Sequence, residues 1–273
     1  MDRFARHLQV RGRTVRLADW NPRATPGWRK KDDAAERLAH NLERIDAQQY
    51  RLFAEARRSL LIVLQGMDTS GKDGVIRNVL TVFNPQGCRV WPFKVPSVEE
   101  ASHGFPWRIQ RATPARGEVA VFNRSHYEDV LVVRVHHLVP RSIWSRRYEI
   151  INAFERNLHE DGTRVLKFFL HISRSEQRTR LLARLDDPLK HWKFRDADLA
   201  ERTQWKGYHR AYEDALARCS TSHAPWHIIP ADHKWYRDLA VSEIIAETLE
   251  RMDPKVPKVT LNVTRLRARL KSA

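Results

Sequence analysis

The stretch Gly66-Met67-Asp68-Thr69-Ser70-Gly71-Lys72 constrains this chain more than any other, because of what flanks it. Before it, Leu60-Leu61-Ile62-Val63-Leu64-Gln65 reads as a buried strand; after it, Val75-Ile76-Arg77-Asn78-Val79-Leu80 opens a helix. A strand that empties into a glycine-bounded loop and then a helix has the spacing and context of a phosphate-binding loop. Gly66 and Gly71 let the backbone turn tightly, so that N–H groups along Thr69 and Ser70 aim at phosphate oxygens. The helix N-terminus adds a favourable dipole. Lys72 is expected to reach the bound phosphates. Where such loops usually carry Ser or Thr after the lysine to hold magnesium, this one carries Asp73. A carboxylate beside phosphate oxygens is repelled unless a cation lies between them. Asp68, inside the loop, is therefore expected to hold magnesium, with bracing of the loop as the other reading, and Asp73 is expected to cap the helix.

Five short apolar runs follow one another at intervals: Leu60–Gln65, Arg89–Phe93, Glu118–Asn123, Val165–Ile172 and Trp226–Pro230. Each has strand length, and helical stretches lie between most of them. This predicts a three-layer α/β fold of the P-loop kinase type, with a parallel sheet of about five strands. A helix is predicted from Asp32 to Arg58, capped by Asp32 or Asp33. Residues 1–31 read as an irregular arm, 32–252 as a single domain and 253–273 as a basic tail. Within the domain, the polar, Arg- and Lys-rich interval 175–218 is broken by Asp186-Asp187-Pro188. It is expected to form a helical lid.

Lysine and arginine outnumber aspartate and glutamate by 49 to 33, a net charge of +16. Such a surplus attracts polyanions, whether nucleic acid, an acidic membrane surface or polyphosphate. No apolar run approaches the roughly 20 residues of a membrane helix. The opening Met1–Arg6 has no apolar signal core, so secretion is not expected. Cys88 and Cys219 stand far apart and form no metal or redox motif. Residues leaving the carboxyl end of a strand face the ligand crevice of such a sheet. That sets Arg124, after the third run, opposite the phosphate loop. His126, His136 and His137 are read as packing or surface groups.

The loop through Asp73-Gly74, together with Phe122-Asn123-Arg124-Ser125-His126-Tyr127-Glu128-Asp129, resembles the second polyphosphate kinase family. So do Glu176-Gln177, Arg180, Arg184 and Asp186–Lys193, and Ala224–Ile229. The resemblance implies magnesium-dependent transfer of the terminal phosphoryl group of polyphosphate to a nucleotide. It also implies a cytoplasmic location and a homo-oligomer. Glu128, where many relatives have Asn, is similar to the subgroup that takes AMP through ADP to ATP; guanine nucleotides stay open as acceptors. On this reading Lys72, Arg124 and Arg184 would neutralise the transferring phosphate and Asp68 would hold magnesium. Lys94, Arg108, Arg180 and Lys193 would contact the polyphosphate or the nucleotide phosphates. Glu128 and Asp129 would face the nucleotide, with Glu128 a possible second magnesium ligand. Two rivals remain: an ATP-dependent kinase of a small metabolite, and a nucleic-acid-binding module with a vestigial loop. Nucleic acid is the less expected partner, because the nine tryptophans are scattered through core-like segments.

Overall fold

All seven residues of strand β1 (Ser59–Gln65) are buried, which requires a layer of structure on each face of the sheet. The computed structural model describes residues 3–194 and 196–273, and for residues 3, 5, 193, 197 and 198 the backbone alone. It has four further strands, β2 (Cys88–Pro92), β3 (Val119–Asn123), β4 (Thr163–His171) and β5 (Trp226–Pro230). They lie in the order β2-β3-β1-β4-β5, all parallel. The predicted fold class and strand count are those observed, with strand ends shifted by one or two residues. From β1 the chain crosses to the edge strand β2, returns to β3 beside β1, and then passes to β4 and β5 on the other side. The reversal at β1 opens a crevice at its carboxyl end, where such sheets bind ligands.

Alternation sorts the side chains into two layers. Leu60, Ile62 and Leu64 pack with helix α1 (Lys31–Glu55) and with the long helix that follows β5, α7 (Lys234–Met252). Leu61 and Val63 pack with helices α3 (Arg147–Glu160) and α6 (Trp205–Cys219). Helix α2 (Lys72–Asn78) leaves the phosphate loop. Helices α4 (Arg174–Leu185) and α5 (Asp196–Thr203) precede α6, and α7 (Lys234–Met252) and α8 (Val263–Ser272) close the chain.

Several expectations are corrected. Helix α1 starts one residue earlier, with Lys30 at the cap position and no side-chain cap; Asp32 and Asp33 lie in its first turn, where their charge meets the helix dipole. The N-terminal arm packs onto the domain. Leu8, Val10, Val15 and Leu17 are buried, and the Val10 N–H donates to Trp226 O (2.8 Å). The interval 175–218 is not all lid. Tyr208, Tyr212, Ala215 and Leu216 of α6 are buried against the sheet, because its charged residues fall on one side and its aromatic and small ones on the other. The open part is α4, a 3₁₀ turn at Pro188–Lys193 and α5. Among the described residues no helix is long and apolar enough to cross a membrane. Cys88 and Cys219 are free thiols.

A charged cluster lies within this core. Lys167, mid-strand in β4, donates to Glu155 Oε2 (2.6 Å), Tyr127 Oη (2.8 Å) and Cys219 O (2.6 Å). Tyr127 Oη donates to Glu155 Oε1 (2.8 Å), which also meets His126 Nε2 (3.1 Å). Lys167 and Glu155 are fully buried. Burial pushes the Glu155 carboxyl up, but Lys167 and His126 together hold it below the usual carboxylate range. The cluster ties the turn after β3 to the end of α6, which are two walls of the site. Removing Glu155 strands a buried ammonium. Glu155→Ala is expected to cost about 3–5 kcal/mol in denaturant unfolding, and Glu155→Leu with Lys167→Met clearly less. Equal losses in the two variants would contradict the pairing.

Candidate active site

The loop is shaped by two glycines that no other residue could replace without displacement. At Gly66 (φ +155°) a Cβ would stand 2.6 Å from Ser70 Oγ and 2.7 Å from Leu170 O. At Gly71 (φ +105°), the cap of α2, it would collide with the Arg237 guanidinium. Arg237 is buried under the loop and donates from Nε to Asp238 Oδ1 (2.8 Å). Thr69 is left-handed at φ +63°, a conformation that costs a non-glycine residue of order 1 kcal/mol or more and clusters at functional sites. Lys72 is buried and folds back, donating from Nζ to Gly66 O (2.8 Å) and Met67 O (3.2 Å). Burial first, and Arg124 second, bring its ammonium pKa down to about 8. Thr69 Oγ1 and Ser70 Oγ are buried without a protein partner. Orphaned hydroxyls and a cation satisfied only by its own loop suit an anion.

The exit of β3 faces this loop, as predicted. Arg124 is also left-handed (φ +64°), with its N–H donating to Leu64 O (3.0 Å). Its guanidinium is shared: Nη2 donates to Asp68 (2.7 Å) and Nη1 reaches Glu128 (3.4 Å). Glu128, foremost, keeps the guanidinium firmly charged. Glu128 accepts a further bond from Gln65 Nε2 (3.1 Å) at the end of β1. Asp73 does not cap α2; it accepts from Asn123 Nδ2 (2.8 Å) and so pins the loop to β3. Asp129 accepts from Arg147 Nη1 (3.0 Å), while burial raises its carboxyl pKa.

Two clefts meet here. The first, about 580 Å³, has an apolar wall of Phe93, Val95, Pro96, Val132, Val133, Leu138, Tyr208 and Tyr212, and a polar floor at Asp68, Arg124, Glu128 and Asp129. The second, about 470 Å³, is lined by Lys72, Arg77, Lys94, Arg124, Arg184 and Lys190, against Asp68 and Asp73. Asp68, Phe93, Lys94 and Arg124 belong to both. Among the described residues no three His, Cys, Asp or Glu side chains form a metal cage. Asp68 and Glu128 remain the groups that could hold magnesium beside bound phosphates, since that ion takes one or two carboxylates and leaves the rest to phosphate and water.

Other predicted residues divide. Arg184 and Lys94 line the cationic cleft, and Arg108 lines the apolar one, donating from Nη1 to Lys94 O (2.9 Å). Arg180 braces the loop. It donates to Thr69 O (2.9 Å), Ala231 O (2.6 Å) and Glu176 Oε1 (2.8 Å), clamping the loop to the exit of β5. The side chain of Lys193 lies outside the described residues. Sequence reasoning missed Gln65, Arg237, Tyr208, Tyr212 and Gln177. Tyr208 and Tyr212 carried a signal, an aromatic pair four residues apart on one helix face, and Gln177 appeared only within the family resemblance, without a role.

A model of the family described as Polyphosphate kinase 2 (PPK2) matches residues 28–257. The chain is 46% identical over 261 residues to the "ADP-polyphosphate phosphotransferase" of Rhodopseudomonas palustris, covering 91% of this chain and 90% of that one. It is 50% identical over 228 residues to the "AMP/ADP-polyphosphate phosphotransferase" of Meiothermus ruber, covering 84% and 85%. The solved structure of Polyphosphate Kinase 2 from Arthrobacter aurescens TC1 superposes with a TM-score of 0.95 at 43% identity, covering 100% of this chain and 99% of that one.

Gln177 links α5 to the loop. It is buried, donates from Nε2 to Asp68 O (3.1 Å) and accepts from Arg202 Nη1 (2.8 Å). A hydrogen bond from a charged donor contributes about 1.5–3 kcal/mol. Gln177→Leu is therefore expected to speed amide hydrogen exchange in residues 196–203 about tenfold or more, with β1 and β4 unchanged. Unaltered exchange there would show that the other ties of α5, from Arg202 to Arg174 O (2.9 Å) and from Glu201 to His136 (2.8 Å), hold it without Gln177.

Proposed function

The chain belongs to the polyphosphate kinase 2 family, and on that premise we propose that it moves the terminal phosphoryl group of polyphosphate, with magnesium, onto nucleoside mono- and diphosphates, AMP to ADP and ADP to ATP. One observation carries the reading: an apolar-walled cleft and a cation-lined cleft meet at Asp68 and Arg124, beside the phosphate loop. A nucleoside needs the first kind of wall and a chain of phosphates the second. The ATP-dependent metabolite kinase and the nucleic-acid module lose ground, because relatives named as polyphosphate phosphotransferases match most of the chain.

The acceptor phosphate is already ionised near neutral pH, so no side chain must take a proton from it. What impedes reaction is repulsion between two polyanions, and positioning with charge neutralisation supplies the catalysis. An acceptor phosphate oxygen attacks the terminal phosphorus, and the bond from that phosphorus to its bridging oxygen breaks, with the electron pair leaving on the shortened polyphosphate. Lys72 exchanges its loop carbonyls for the transferring phosphate. Arg124 lies on the wall shared by both clefts and reaches donor and acceptor alike; Arg184 and Lys190 neutralise the donor chain from the opposite wall. Asp68 and Glu128 would hold magnesium, which when bound would supply positive charge to offset the negative charge of the phosphates. A cytoplasmic homo-oligomer that also accepts guanine nucleotides completes the proposal.

Glu128 bears on acceptor choice. Its carboxylate stands at the apolar cleft, within reach of a nucleotide that offers one phosphate fewer. With magnesium and long-chain polyphosphate as the sole donor, AMP is expected to yield ADP and then ATP, followed by chromatography of AMP, ADP, GMP and GDP reactions. Glu128→Asn is expected to lower AMP use relative to ADP use about tenfold, the scale of one charged hydrogen bond. Failure to form ATP from ADP and polyphosphate would refute the function. Equal losses on AMP and ADP would refute the role of Glu128 alone.

A further inference from the structure

Beyond Pro254 the chain leaves the body, and every residue from 255 to 273 is exposed. An extended stretch leads into α8, a ten-residue helix with no buried residue. A helix of that length is marginal in water without packing, since fewer than about 12–15 residues rarely hold a helix alone. Its sequence is nonetheless amphipathic: Val263, Leu266 and Leu270 fall on one face. Val256, Val259 and Leu261 are exposed in the stretch before it. From Pro254 to Ala273 there is no acidic residue and there are six basic ones, four of them on α8.

The surface that complements this arm is on the same chain. The outer face of α1 carries Asp32, Glu36, Glu43, Asp46, Tyr50 and Phe53, spaced as one continuous stripe with Ala39 between the acids, and all are exposed. Tyr50 is 67% and Phe53 46% exposed. Among the described residues the only ion pair along this stripe is His40 with Glu43, at 3.9 Å. The inner face is already engaged, through Arg37 and Arg44 to Glu243 and Glu250 of α7, so the acidic stripe cannot turn inward. An acidic stripe ending in two exposed aromatics is unusual on a chain of net charge +16. It offers carboxylates to the arginines of α8 and apolar surface to its leucines.

We propose that the arm of one copy lies with α8 along the outer stripe of α1 of a second copy, and that the exchange is reciprocal about a two-fold axis. Nine extended residues and ten helical ones span about 45 Å, enough to reach a neighbouring subunit. The proposal rests on the homo-oligomeric part of the reading above and adds the surfaces that would make it. A basic amphipathic helix can also lie on an anionic membrane. The acidic stripe with its exposed aromatics favours the second copy.

Sedimentation velocity of the full-length chain at micromolar concentration and physiological salt tests this. Wild type is expected to sediment as a dimer or larger assembly. Leu266→Glu with Leu270→Glu, and separately Glu43→Lys with Asp46→Lys, should each weaken association at least tenfold. Both pairs lie on exposed surface, and phosphoryl transfer from polyphosphate to ADP reports that each variant is folded. Adding Arg265→Glu and Arg269→Glu to the Glu43→Lys, Asp46→Lys variant should restore the assembly. An active wild type that sediments as a monomer overturns the proposal and leaves phosphoryl transfer standing, as does a monomer that binds phosphatidylserine vesicles only with Leu266 and Leu270 intact. Undiminished association of the leucine variant, or failure of the charge reversal to restore it, also overturns the proposal.

Discussion

Arg124 is held between two carboxylates, Asp68 on the phosphate loop and Glu128 on the turn after β3. The surrounding structure arranges for this cation to sit between two clefts without collapsing either. A guanidinium suits the task, because its planar fork can serve partners on two sides at once and it stays charged. Its left-handed backbone turns the side chain back across β1 toward the loop. Thr69, on the facing loop, is held in the same uncommon region, so both halves of the site store strain that the fold around them must sustain.

That support comes from the side chains packed around the loop and the turn. Arg180 and Arg237 hold the loop from the lid side and from below, one through carbonyl oxygens and the other through the space that Gly71 leaves open. Asp73 and Asn123 fasten the loop to β3, while Gln177 and Arg202 fasten it to α5. The Lys167–Glu155 pair fixes the turn that carries Glu128 and the end of the helix that carries Tyr208 and Tyr212. Loop carbonyls hold Lys72, and the carboxylates of Asp68 and Glu128 hold Arg124. Polyanions would take over those bonds rather than create new order, which limits the reorganisation needed at the moment of transfer.

Much of this was legible in the sequence. Uninterrupted apolar runs beside a glycine loop gave the sheet, and the exit of β3 gave Arg124, because strand ends and tight loops follow local rules. The role of Arg180 was not legible: a basic residue on a polar helix looks the same whether it meets phosphate or the loop's own carbonyls. Helix α6 was misread as lid because its many charges hid a buried face of tyrosines and alanines. Asp73 looked like a cap, yet Gly71 takes that place and leaves Asp73 to bond a residue fifty positions away. Long-range pairings of this kind have no local pattern. The family resemblance supplied the donor and acceptor chemistry that spacing alone does not specify.

The central claim is that Asp68 and Arg124 act as one unit on the phosphates passing between the clefts. A double-mutant cycle on turnover with polyphosphate and ADP tests it most directly. Asp68→Asn and Arg124→Gln are each expected to lower kcat about 100-fold or more, the usual scale for one electrostatic contact to a transition state. The double variant should then fall little further than the worse single one, because groups that act together are not additive. Losses that multiply in full would show two independent contributions and contradict the account.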